Sequence, residues 1–144
     1  MAKEIFSEKE KEQIVKAIIQ SEKNTSGEIQ VHIEKHCNED VLERATTVFS
    51  ILKMHKTKLR NGFLFYLAVE DHKFAILGDV GINSVVPENF WNEIKDHMAA
   101  RFKEGRFTEG LCEGINMAGS QLKDHFPLHK DDTNELPDEI SFGN

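Results

Sequence analysis

Gly62-Phe63-Leu64-Phe65-Tyr66-Leu67-Ala68-Val69 is an uninterrupted apolar run of strand length. The polar turn Glu70-Asp71-His72-Lys73 follows it at once, and then Phe74-Ala75-Ile76-Leu77. A run this apolar and this rich in aromatics reads as a central strand covered on both faces. Its short polar break and the second apolar run make a hairpin. Upstream, Glu28-Ile29-Gln30-Val31-His32-Ile33-Glu34 alternates polar and apolar, which predicts a strand with one buried face, toward an edge of the sheet. Between these strands, Asp40 and Glu43 open a helix with Leu42, Ala45, Phe49 and Leu52 at helical spacing. A strand, a helical crossover and a second strand make a parallel, right-handed unit.

The flanks supply the covering helices. Ser7 and Glu10 form a capping box, and Ile14, Val15, Ile18 and Ile19 give the first helix one stripe, ending near Asn24. Pro87 suits the first turn of a helix with Phe90, Ile94, Met98 and Phe102 inward, closed by Gly105. Thr108 caps a last helix carrying Leu111, Ile115, Ala118, Leu122 and Phe126, stopped by Pro127. The expected fold is α/β: a small, mixed, mostly parallel sheet with helices on both faces. Residues 1–126 form one domain, and 127–144 an acidic tail lying on the surface or disordered.

Composition narrows the function. The chain has 144 residues, 18 basic and 25 acidic, for a net charge of −7. This size fits one domain. An acidic chain with a pI near 5.5 lacks the basic footprint of a nucleic-acid binder. No apolar run is long enough for a membrane span. The N-terminus has no apolar core of a secretory signal, so a cytoplasmic monomer is expected. Cys37 and Cys112 make no metal or redox pattern and are expected as free thiols.

The topology brings three polar segments to one rim: Thr25-Ser26-Gly27-Glu28, the stretch 57–62, and Gly78-Asp79-Val80-Gly81-Ile82-Asn83. Asp71 falls at the opposite end. Asp79 is bracketed by Gly78 and Gly81 just beyond a buried strand. With Asn61, Thr57 and backbone carbonyls it can offer hard oxygen ligands to calcium or magnesium. Asp79 and Asn61 can equally serve as acceptors of turn amides, and both readings stand at this point. Asp131, Asp132 and Glu135 can fold back to add charge, or remain a solvated tail.

Other motifs are weaker. None of the seven histidines pairs at metal-ligand spacing on a helix face. Cys37 and Arg44 bracket Glu39, Asp40 and Glu43 with no glycine, which is unsuited to cradling phosphate. Gly110, Gly114 and Gly119 read as close-packing positions on the last helix, and Trp91 as core.

Taken together, Thr25-Ser26-Gly27-Glu28-Ile29, Arg44-Ala45 with Phe49, Arg60-Asn61-Gly62-Phe63-Leu64, Phe74 through Ile82, Phe102 with Phe107, and Gly110-Leu111 resemble the TPM-domain family, in a short, soluble, bacterial-type form. The resemblance spans about Ser7 to Phe126. It implies a three-layer α/β/α sandwich with a crevice at one end of the sheet, lined by Ser26, Glu28, Arg60, Gly78, Gly81 and Asn83. It implies binding of a divalent cation, calcium or magnesium, by a binding or accessory module. It also implies, as the alternative, a metal-assisted phosphatase acting on phosphomonoesters of a small molecule or protein. Many relatives carry Asp where this chain has Arg60.

Overall fold

The computed structural model describes residues 6–87, 89–128 and 138–143. Asp131, Asp132 and Glu135 lie outside the described residues.

Helix α1 (Glu8–Glu22) begins with both halves of the capping box, Glu10 N–H to Ser7 Oγ at 3.1 Å and Ser7 N–H to Glu10 Oε1 at 3.0 Å. It ends at Glu22, slightly before the expected Asn24. Strand β1 (Glu28–Glu34) runs parallel to β2 (Gly62–Ala68), with Glu28 opposite Gly62 and Glu34 opposite Ala68. Helix α2 (Val41–Ile51) and a 3₁₀ turn at Met54–Lys56 connect them. β2 pairs antiparallel with β3 (Lys73–Gly78) as the hairpin reading requires.

The sheet departs from expectation at β1. Its order is β3-β2-β1-β4, where β4 (Ile140–Phe142) runs parallel to β1, with Val31 opposite Ile140. β1 is therefore interior, and all seven of its residues are buried. The alternation in Glu28–Glu34 is not a wet face. It is a row of buried polar side chains, each of which needs a partner. Residues 140–142, read as part of a surface tail, are a strand. Three residues behind an acidic stretch carry too little periodicity to announce one.

The two sheet faces separate the core. Ile29, Val31, Ile33, Phe63, Phe65 and Leu67 pack against helices α1, α4 (Phe90–Lys103) and α5 (Phe107–His125). Leu64, Tyr66, Ala68 and Ala75 pack against Ala45 and Val48 of α2. This is the three-layer sandwich, with helices on both faces. Among the described residues no helix is long and apolar enough to cross a membrane. Cys37 and Cys112 are free.

The helix starts differ in detail from the sequence reading. Pro87 precedes α4, and its carbonyl accepts from Phe90 N–H at 3.1 Å. Thr108 lies inside α5 rather than capping it, and its hydroxyl donates to Glu10 Oε2 at 2.8 Å, tying α5 to α1. A four-residue helix, α3 (Val80–Asn83), fills the expected glycine-bracketed loop.

Close packing of α5 on α1 is confirmed at Gly119, where a Cβ would stand 2.5 Å from Ser21 Cβ and 3.1 Å from Ser21 Cα. Gly119→Ala gains about 1 kcal/mol in helix propensity, yet must push the two helices apart. A net loss of about 1–2 kcal/mol in urea unfolding is expected.

Candidate functional site

The three polar segments meet at the starting end of β1 and β2. Glu28 N–H donates to the Asn61 carbonyl at 3.2 Å, and Asp79 N–H to the Gly62 carbonyl at 3.0 Å. Asn61 takes its place through its N–H on Thr57 Oγ1 at 3.2 Å and its Nδ2 on Ser26 Oγ at 3.4 Å. Asn83 Nδ2 reaches back to the Gly78 carbonyl at 3.0 Å. The start of α3 rests directly on the preceding loop: Gly81 N–H donates to the Arg60 carbonyl at 2.9 Å. A Cβ on Gly81 would lie 2.6 Å from that carbonyl oxygen, so only glycine fits.

Asp79 is 6 % exposed and fully engaged. Arg60 grips it bidentately, Nε to Oδ2 at 2.7 Å and Nη2 to Oδ1 at 2.8 Å, and Val80 N–H adds 2.8 Å to Oδ1. The carboxylate thus caps α3 and pairs with an arginine whose side chain is half exposed. A cation at Asp79 has to displace Arg60. Asn61 is different. It is 1 % exposed, and its Oδ1 is buried with no hydrogen-bond partner among the described residues.

Further along the same rim, toward β4, lies a feature that sequence reading missed. Glu22, the last residue of α1, accepts from Ile29 N–H at 2.7 Å through Oε2. Its carboxyl also shares a hydrogen bond with Asp138, and Glu28 stands close enough to repel it. Burial first, then Asp138 and Glu28, push Glu22 up to about 10, against the opposing pull of Ile29 N–H. At neutral pH Glu22 therefore holds a proton. The cause of the omission is topological. Glu22 and Asp138 are 116 positions apart, and only the β1–β4 pairing brings them together. Among the described residues no three acidic, histidine or cysteine side chains stand ready as a metal cage.

A second buried constellation sits at the far end of β1. Glu34 accepts from Tyr66 Oη at 2.5 Å, from Arg44 Nε at 3.2 Å, from Arg44 Nη2, and from His32 Nε2 at 3.0 Å. An ionised carboxylate only accepts, so Nε2 carries the His32 proton, and Nδ1 accepts from Ser141 Oγ of β4 at 2.8 Å. Burial opposes ionisation of Glu34, but Arg44, Tyr66 and His32 outweigh it and carry its carboxyl down to about 2. Burial holds His32 below its ordinary value, against the pull of Glu34. Asp71 lies at this far end too, as expected, accepting from Cys37 N–H at 2.6 Å and pairing with His36 Nδ1 at 2.9 Å.

These groups set the pH dependence of stability. The Glu34 contribution is complete above pH 4.5 and is lost as pH falls toward 2. The His32 contribution is complete above 6.5 and declines below it. Glu22 acts oppositely: the folded state keeps a proton that the unfolded chain releases above 4.5, so its contribution is lost as pH rises toward 10. The melting temperature should be highest between about pH 4.5 and 6.5, where the rising His32 and falling Glu22 contributions oppose each other, with losses on both sides. Glu22→Gln should remove the alkaline loss and leave the acid loss intact.

The TPM domain model matches residues 2–121. No curated protein matches the chain. Among solved structures, the NMR structure of BA42 protein from the psychrophilic bacterium Bizionia argentinensis is 51 % identical, with a TM-score of 0.90, over 96 % of this chain and 95 % of that one. The N-terminal domain of a protein from P. gingivalis is 18 % identical, with a TM-score of 0.67, over 86 % of this chain and 83 % of that one. The N-terminal domain of cg2496 protein from Corynebacterium glutamicum is 13 % identical, with a TM-score of 0.65, over 81 % and 74 %. The last two share the fold alone. With most of its length matched by the family model and half of its residues identical to BA42 protein, the chain belongs to the TPM domain family.

Proposed function

We propose that this TPM domain is a divalent-cation-binding module, with calcium or magnesium held at the starting end of β1, where the cation draws Glu22, Glu28, Asp138 and Asn61 Oδ1 into a cage that they do not form without it. The observation that carries the reading is the meeting of the Glu22 and Asp138 carboxyl groups, joined by a hydrogen bond, beside buried Glu28. Glu22, buried beside other carboxyl groups, keeps its proton, and a divalent cation bound by hard oxygens replaces that proton. Asn61 Oδ1 supports the reading as a buried neutral oxygen on the same rim with no hydrogen-bond donor among the described residues. Ser26 and Thr57 orient Asn61. Asp79 joins the site only where Arg60 releases it, and a phosphate-binding role for Arg60 requires the same release. The phosphatase alternative therefore has less support than binding.

The test is calorimetric titration with calcium and with magnesium. Binding should release a proton near pH 7, and affinity should rise with pH toward 10. Glu22→Gln and Glu28→Gln should each weaken binding tenfold or more, about 1.4 kcal/mol. Asp79→Asn should leave affinity within about twofold but lower stability by about 1–3 kcal/mol, because Arg60 loses its charged partner. Loss of binding in Asp79→Asn alone would move the site to the Arg60 end. Absence of heat and of amide shifts in residues 57–62 would refute it altogether.

A further inference from the structure

At the end of the sheet opposite this rim, a pocket of about 270 Å³ opens between β3 and α4. Its walls are Leu67, Val69, Phe74, Phe102 and Phe107, with Ala99 of α4 at the side. The rings are arranged as a wall rather than a plug. Phe74 meets Phe102 edge-on at 5.0 Å, Phe102 and Phe107 are tilted at 5.4 Å, and all three stay half-buried. Most other phenylalanines of the chain are sealed in the core. Three aromatic faces left partly wet around one concavity carry a hydration cost that an apolar ligand relieves.

The charges at the mouth choose the ligand. Among the described residues no acidic side chain lines the pocket, although the chain carries a net charge of −7. Lys103 and His72 do line it. The acids in neighbouring positions are already engaged: Glu70 and Asp71 with His36, each at 2.9 Å, Glu104 with Arg101 at 3.4 Å, and Glu109 with Arg106. Lys103 has no ion-pair partner among the described residues. Lys73 also borders the pocket, but its ammonium donates to the Cys37 carbonyl at 3.1 Å. The local field at an apolar opening is thus positive on an acidic protein.

We infer that this pocket binds a small amphipathic monocarboxylate, its apolar body against Phe74, Phe102 and Phe107 and its carboxylate at Lys103. Size sets the scale. An apolar cavity of about 150 Å³ takes benzene, so this one takes about ten non-hydrogen atoms. The site is separate from the cation rim by the length of β2, about 20 Å at 3.3 Å per residue.

The test is an NMR titration of the full chain with octanoate, and with octanamide as a neutral control. Saturable shifts confined to residues 67–74, 99–103 and 107 are expected, with a dissociation constant of about 1 mM or below. Octanamide should bind severalfold more weakly. Lys103→Ala should weaken octanoate about threefold, as loss of one exposed charge does. Ala99 is exposed, so Ala99→Trp can fill the mouth without entering the core; it should abolish binding with an unchanged melting temperature. Non-saturable shifts, equal binding of octanamide, or full binding by Ala99→Trp would each overturn the proposal. Shifts of the same residues with protein concentration alone would assign the pocket to a second copy of the chain, and overturn it too.

Discussion

Glu34 is the point on which the architecture turns. A carboxylate 3 % exposed, at the end of an interior strand, is tolerated only when its lone pairs are filled. Here they are filled by α2 through Arg44, by β2 through Tyr66, and by β1 itself through His32. His32 in turn receives Ser141 from β4. One buried charge therefore fixes the crossover helix, the neighbouring strand and the closing strand against one another. Removing Arg44 would leave that charge uncompensated. Replacing the group by hydrocarbon would fill space but lose the directional bonds that set register.

The same strand carries a polar group at its other end, with the opposite electrostatics. Glu34 is held ionised by an arginine, whereas burial, Asp138 and Glu28 push Glu22 to retain a proton. β1 thus runs from a crowd of acids that favours a proton on Glu22 to a carboxylate held ionised by an arginine. The hydrophobic side chains between them, Ile29, Val31 and Ile33, all face the α1, α4 and α5 layer. This separation leaves the α2-side residues of β1 free to be polar without disturbing the larger core.

Sequence legibility followed locality. The hairpin, the parallel crossover and the capping box of α1 depend on neighbours within a short stretch, and their patterns were readable. The converging rim was also readable, because strand directions place Ser26, Asn61 and Asp79 together without side-chain detail. The pairing of Asp79 with Arg60 was not, since a bidentate grip depends on the αL backbone at Arg60, with φ 53°, and the short α3 that follows. Nor was the interior position of β1. Alternating polar residues signal a wet face unless a distant segment covers them, and Ile140–Phe142 gives almost no signal of its own. Glu22 and Asp138 were invisible for the same reason.

The lateness of β4 in the chain has a consequence for synthesis. β1 ends at Glu34, yet the strand that covers its outer edge, Ile140–Phe142, is made only after all the other strands and helices. Until residues 140–142 have been made, the nascent domain presents an open strand edge bearing Val31, His32 and Ile33. Unpaired edges of this kind recruit other chains. The arrival of this one short strand therefore decides whether that edge is closed by the protein's own chain or left exposed to a neighbour on the same polysome.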